Sequence, residues 1–239
     1  MEFQQVVSRR RMVRSYSADP VPPAVVDRML QNALRAPSAG FSQGWAFLVL
    51  DRPADVDRFW RATTPEHRAQ HPGRWLRGMR TAPVVVVPMS CRAAYVERYA
   101  APDKVRDEPA EPRWSVPYWH IDTGMAALLI LQTAVDEHLG ACFFGIPPDR
   151  EHLLRAEFTV PDDLTPIGAI TIGHPADQSR PTGSVTTRRR TPLHEVVRRG
   201  QWSTTPVTGE DPGRRQHPDE KAGPGADVSR VARARPRAC

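Results

Sequence analysis

The chain has 239 residues, with 33 Lys+Arg against 27 Asp+Glu and a formal net charge of +6 at pH 7. At roughly 100–200 residues per domain that length holds one good-sized domain, and 40% hydrophobic residues exclude disorder of the whole chain. The longest uninterrupted apolar run, Met125–Leu131, is far short of the roughly 20 residues of a bilayer span, so no membrane helix is expected.

The first residues carry no apolar h-region of a secretory signal. Cys91, Cys142 and Cys239 form no CxxC pair, no disulfide framework and no zinc site. The expectation is a cytoplasmic protein with reduced thiols.

Residues 4–8 suggest a short helix running into an arginine cluster. Asp19-Pro20-Val21-Pro22-Pro23 opens a second helix, whose Val25, Val26, Met29, Leu30, Ala33 and Leu34 recur at helical spacing before Pro37 stops it. Ala46–Leu50 reads as a strand, followed by a helix near 53–61. Val84–Val87 is a β-branched run and predicts a buried strand. Residues 88–117 read as irregular and broken by proline. The stretch 121–138 is apolar almost all round, which places a helix inside a core or an interface. Ala141–Phe144 predicts a short strand, Pro148–Glu157 a capped helix, Ile167–Gly173 a strand and Pro192–Arg199 a helical turn. Helices separate most strands, so the fold class is mixed α+β.

Residues 203–239 contain five prolines, four glycines and no Leu, Ile, Met or aromatic residue. Such a segment cannot bury enough apolar surface to offset its ordering entropy. The expected division is a folded domain over 1–202 and a disordered tail over 203–239.

Three stretches could carry chemistry. In Arg9-Arg10-Arg11-Met12-Val13-Arg14, Arg10 and Arg14 lie four apart, so on a helical turn their guanidinium groups point the same way. Such groups suit bidentate phosphate recognition. In Ala36-Pro37-Ser38-Ala39-Gly40-Phe41-Ser42-Gln43-Gly44-Trp45, small residues let the backbone approach a flat ligand, and Ser38, Ser42 and Gln43 offer hydrogen bonds. In Thr187-Arg188-Arg189-Arg190-Thr191-Pro192, Arg188 and Arg190 could close over the same phosphate. Taken singly, each is also what a solvated basic patch or an ordinary loop looks like.

In this order the three patterns resemble the FMN-dependent nitroreductase family over about residues 4–202. The helix at 121–138 followed by Leu139-Gly140-Ala141-Cys142 matches that family's central helix and strand start. The resemblance implies an interlocked homodimer, each subunit a mixed central sheet flanked by helices, with FMN at the subunit interface. It implies that Arg10, Arg11, Arg14, Arg188 and Arg190 hold the FMN phosphate. Pro37, Ser38 and Ala39 would come from the partner subunit and lie beside the isoalloxazine ring, with Gln43 in the same stretch. Arg77, or else Arg74, would face the ring's N1/O2 edge, and a backbone N–H of Gly145 or Ile146 would reach N5.

The sequence departs from the family pattern in places. Met12 stands where a Ser is frequent, Phe41 where an Asn is, and Gly44 where a Pro is, which predicts a more apolar pocket and a looser loop. Pro147 and Pro148 have no N–H to offer N5. His67 and His71 are four apart without an evident third ligand, and His120 and Asp122, two apart on a helix, point away from each other. Trp75, Trp114, Tyr118 and Trp119 could stack on a planar substrate, or simply pack.

The resulting expectation is an FMN oxidoreductase with no metal and no catalytic side chain in the strict sense. It would move hydride by ping-pong transfer from NAD(P)H to a small electron-poor acceptor. An oxidase or dehydrogenase of the same fold is the alternative, and a basic nucleic-acid-binding protein the distant one; neither nucleic acid nor membrane is an expected partner.

Overall fold

A computed structural model describes residues 1–104, 114–176 and 187–202. The expected tail over 203–239 lies outside the described residues. The chain divides into two compact units, Met1–Thr187 and Arg188–Cys239, so Arg188 and Arg190 stand in the second.

The first unit is built on a five-stranded sheet. Its strands are β1 (Trp45–Leu50), β2 (Val84–Cys91), β3 (Gly140–Phe144), β4 (Leu164–Pro166) and β5 (Ala169–Gly173). The order is β1-β2-β5-β3, with β4 also pairing β2, and every pair of these strands is antiparallel. A parallel bridge from Met12 to Ala141 extends the sheet beyond β3. The helices of this unit are α1 (Phe3–Arg9), α2 (Pro23–Ala33), α3 (Pro53–Thr63), α4 (Glu66–Gln70), α5 (Arg74–Met79), α6 (Arg92–Ala100), α7 (Tyr118–Asp136) and α8 (Glu151–Phe158). In the second unit α9 (Leu193–Val196) is a single turn, and Arg198 lies over the Trp202 ring.

Strand β2 explains the layering. Successive side chains of a strand face opposite sides. Val84 and Val86 enter the core beneath α2 and α7, whereas Val85, Val87 and Met89 enter the core beneath α3, α5 and α8. A strand buried on both faces needs an apolar run rather than an alternating one, which is what the β-branched run supplies. The sheet is thus sandwiched between two helical layers.

The stretch 88–117 is more regular than its prolines suggest. Strand β2 continues to Cys91 and passes directly into α6. Pro88 is tolerated because it falls where the neighbour of β2 changes from β5, paired at 84–86, to β4, paired at 89–91. Its carbonyl accepts from Ile167 N–H at that seam, and its missing N–H would face the same side. The segment 148–158 also differs from expectation. A 3-10 turn at Pro148–Arg150 leads into α8, and no side-chain hydrogen bond caps either.

Helix α7 holds the first core together. Ala126, Ala127, Ile130, Leu131 and Ala134 are buried, while Ile121 and Leu128 on its other side stay more than two-fifths exposed.

Candidate active site

The arginine segment is extended rather than helical. α1 ends at Arg9, and Arg10 leaves it at φ −57°, ψ 119°. Residues 12–16 then run beside the sheet, where Val13 N–H donates to Ala141 O at 3.0 Å and Tyr16 bridges Pro175. The helical argument for pairing Arg10 with Arg14 is therefore replaced by a two-residue period, which also puts residues four apart on one side. Tertiary pairing with β3 outweighs the local helical tendency because it satisfies the backbone groups of this edge.

Tyr16 anchors the segment. Its hydroxyl donates to Val13 O at 2.6 Å and shares a 2.8 Å hydrogen bond with the Thr171 hydroxyl. Burial raises its pKa far above the ordinary phenol value, with the Thr171 bond opposing, so it stays protonated. On the other flank, a Cβ at Gly78 would sit 2.1 Å from Arg14 O, so only glycine lets α5 come this close.

Arg10 is half-buried, and its Nη1 is shut off from solvent with no acceptor among the described residues. A buried guanidinium N–H without a partner is costly, and an anionic oxygen is the group that would satisfy it. Arg14 lies against the buried Cys142 thiol. Burial pushes that thiol's pKa up, and Arg14 pulls against the shift without overcoming it. Arg11 is exposed.

The bridge between Met12 and Ala141 sets these arginines beside β3, and β3 delivers the chain at its far end into Gly145 and Ile146. Gly145 is exposed, whereas Ile146 packs against the second core. Arg77 is exposed on α5 and its guanidinium donates to Pro72 O. Arg188 and Arg190 are exposed.

The Pro37–Gln43 loop is built elsewhere, against α6 and α7. Three of its residues have positive φ: Gly40 at 61°, Phe41 at 58° and Gln43 at 50°. For Phe41 and Gln43 this left-handed geometry costs about 1–2 kcal/mol each, so the surroundings must impose it. Asp122, only 2% exposed, accepts from Ala39 N–H at 2.8 Å and from the Tyr95 hydroxyl at 2.7 Å. Ser38 Oγ accepts from Gln43 N–H at 3.0 Å, and Ser42 Oγ donates to Ala39 O at 2.6 Å. Arg98 Nε donates to Gly40 O at 2.9 Å while its two terminal nitrogens grip Asp103. Burial, then the Asp122 carboxylate, drive the Tyr95 phenol pKa far upward, so it remains a donor.

Gly44 does not loosen this loop as its replacement of proline suggested. A Cβ there would lie 2.5 Å from the Tyr95 ring and 2.8 Å from Cys91 O, so the glycine allows close packing. Phe41 is 74% exposed, leaving a large apolar ring in solvent at the loop tip.

His120 and Asp122 do face different partners. Trp119 Nε1–H donates to His120 Nε2 at 3.1 Å, so Nδ1 carries the proton and donates to Ser90 Oγ at 2.8 Å. Ser90 can then pass its own proton toward Thr165 O at 3.3 Å. Burial lowers the His120 pKa and keeps the ring neutral. Trp114 and Trp119 meet Tyr95 edge to face and pack rather than present a free stacking surface, while Trp75 stays partly exposed against Phe144.

Asp122, Tyr95 and Arg98 are the residues that sequence reasoning missed as organisers of the loop. The available signal was a carboxylate just before the long apolar run of α7, since a buried charge must find donors.

A profile of the nitroreductase family matches residues 7–174. A protein of Methanothermobacter thermautotrophicus named "Putative NADH dehydrogenase/NAD(P)H nitroreductase" is 26% identical over 179 residues, covering 74% of this chain and 79% of its own. A crystal structure from Desulfovibrio desulfuricans, in complex with FMN, has a TM-score of 0.60 at 24% identity, covering 85% of this chain and 99% of its own. A nitroreductase family protein from Streptococcus pneumoniae reaches 0.61 at 19% identity, over 82% and 99%. At these identities the solved structures establish the fold.

Proposed function

Because the chain belongs to the nitroreductase family of oxidoreductases, we propose that it is a homodimeric FMN enzyme. It carries a hydride from NAD(P)H to a small electron-poor acceptor such as a nitroaromatic, quinone or enone. The observation that carries the cofactor assignment is the buried, unpartnered Nη1 of Arg10 at the start of the extended segment. A phosphate monoester is rich in acceptor oxygens and doubly anionic, and fits that donor. When bound, FMN would supply the two-electron redox chemistry of a hydride transfer between donor and acceptor.

The chain's own groups bind and orient. Arg10, Arg11 and Arg14 would hold the phosphate, and the family resemblance gives the same role to Arg188 and Arg190. The partner subunit's Pro37, Ser38 and Ala39 would lie beside the ring, with the partner's Gln43 in the same loop. Arg77, once released from Pro72 O, would supply positive charge to the flavin ring. The N–H of Gly145 or Ile146 would be the group available to the flavin in this loop, since Pro147 and Pro148 have none. In support of two copies, Ile121 and Leu128 of α7 and Phe3 and Val7 of α1 are exposed, a strip that a second subunit would cover.

The test is the visible spectrum of the purified protein, before and after anaerobic NADPH and then NADH. A flavin spectrum that bleaches with either nucleotide supports the reading. Flavin that binds without bleaching transfers weight to an oxidase or dehydrogenase of the same fold. Arg10→Ala and Arg190→Ala should each lose flavin while remaining folded dimers, and full occupancy in both would overturn the phosphate assignment.

A further inference from the structure

The Pro37–Gln43 loop rests on a cluster of aromatic rings that ends at His120. A Cβ at Gly40 would sit 2.8 Å from the Tyr99 ring, so Tyr99 lies directly against the loop. Tyr99 meets Trp114 at 5.4 Å, and Trp114 meets Trp119 at 5.8 Å, both edge to face. Trp119 also meets Tyr95 at 6.3 Å, and the Tyr95 hydroxyl shares the Asp122 carboxylate with Ala39 N–H. Two routes of contact therefore lead from Trp119 to the loop.

The Trp119 indole is held in turn by one atom of His120. An indole N–H can only donate, so His120 Nε2 must carry a lone pair to accept it at 3.1 Å. Nδ1 then holds the ring's proton and donates to Ser90 Oγ. A second proton would put an N–H on Nε2, facing the indole N–H with no acceptor between them. Turning the ring over would place carbon atoms where both bonds are now made. The imidazolium keeps Ser90 as its acceptor, so the indole is the partner displaced.

The ionisable groups on the surrounding elements are three. Arg92, at the start of α6, lies 5.7 Å from the Trp119 ring. Cys91, at the end of β2, directs its thiol at Asp163, 3.8 Å away. Asp122 on α7 is already tied to Tyr95. Among the described residues the imidazole bonds only Ser90 and Trp119, so no carboxylate holds the charged ring in place. Burial lowers the pKa of this ring, so the second proton arrives below about pH 6.5.

We propose that His120 is a positioning residue for the Pro37–Gln43 loop and makes that loop sensitive to pH. With the ring neutral, Trp119 is fixed and both routes to the loop stay packed. With the ring protonated, the indole is released, and Tyr95 and Tyr99 lose the packing that supports Ala39 and Gly40. The consequence for flavin rests on the reading above, which sets this loop beside the ring. The release of Trp119 does not.

The test follows the full-length protein from about pH 8 to about pH 5, the range in which an imidazole titrates. Tryptophan emission and the dissociation constant for FMN are read in the parent, in His120→Gln and in Trp119→Phe. Gln offers an oxygen to the indole and an N–H to Ser90 and gains no proton, whereas Phe keeps the edge contacts and has no opposing N–H. In the parent, an emission change below about pH 6.5 should accompany a dissociation constant about tenfold above that of either variant at the same pH. Comparison at equal pH cancels the titration of the FMN phosphate itself, near about pH 6. The same pH dependence in the parent and His120→Gln overturns the proposal; should His120→Gln fail to fold, the same dependence of FMN binding in Trp119→Phe does so. If none of the three takes up FMN, the flavin reading fails and the emission decides alone. A transition present in the parent and absent from both variants then supports the device, and one that survives in His120→Gln overturns it.

Discussion

The arginine segment and the Pro37–Gln43 loop make opposite use of polar groups. In the loop, the strained backbone is held by partners that the protein itself supplies: the Asp122 carboxylate, the Arg98 guanidinium and the Ser38 hydroxyl. In the segment, backbone N–H groups reach Ala141 O, Thr81 Oγ1 and His174 O, yet the Arg10 guanidinium keeps a buried N–H with no acceptor among the described residues. A surface that must receive a flat ring needs shape, and shape is secured when every polar group is satisfied internally. A site for an anion needs donors left over. The first region is complete without a ligand, and the second is not.

Removing the loop's carboxylate should do the most damage. Asp122→Ala leaves the Ala39 N–H and the Tyr95 hydroxyl buried without an acceptor, and should cost about 3 kcal/mol in urea unfolding. Asp122→Asn, which keeps one acceptor oxygen, should cost less. Equal stability of Asp122→Ala and the parent would show that the loop is not held this way. Next comes Gly44→Ala, whose methyl must displace the Tyr95 ring or the Cys91 carbonyl, with an expected cost of about 2 kcal/mol.

Arg10→Ala should separate the two regions. The flavin-free protein should unfold within about 0.5 kcal/mol of the parent, because only an unpaired donor is lost. The dissociation constant for FMN should meanwhile rise about tenfold or more, read by flavin fluorescence. A large stability loss would mean that Arg10 is structural, and the contrast would collapse.

The smallest effect expected is in pH dependence. Burial holds the folded His120 pKa below the ordinary imidazole value. The unfolded chain therefore takes up this proton first as pH falls. The stability contribution is present above about pH 6.5 and is lost as pH drops toward the lowered folded value. His120→Gln should flatten the acid limb of a plot of urea midpoint against pH. An unchanged limb would show that the ring titrates without constraint.

Much of the fold was legible because hydrophobic period is local. The β-branched run at 84–87, the spacing from Val25 to Leu34 and the apolar stretch at 121–138 became β2, α2 and α7. Reading failed where a distant partner overrode a local signal. Residues 10–14 look helical until β3 pairs with them, and Pro88 looks like a breaker until a change of neighbouring strand accommodates it. Gly44 looked permissive, but Tyr95 makes it obligatory.

The candidate site divides along the same line. The arginines and the small-residue loop were recognisable as types of residue at characteristic spacings, because charge and side-chain size belong to the residue itself. That Arg10 keeps an unsatisfied N–H, and that Asp122 holds Ala39 and Tyr95, are properties of groups brought together from separate elements. Local patterning by itself determined the main helices and strands and the cast of residues, and the motifs in order carried the family resemblance. Only the tertiary structure decided which polar groups are satisfied, because satisfaction depends on which residues distant in sequence come within hydrogen-bonding distance.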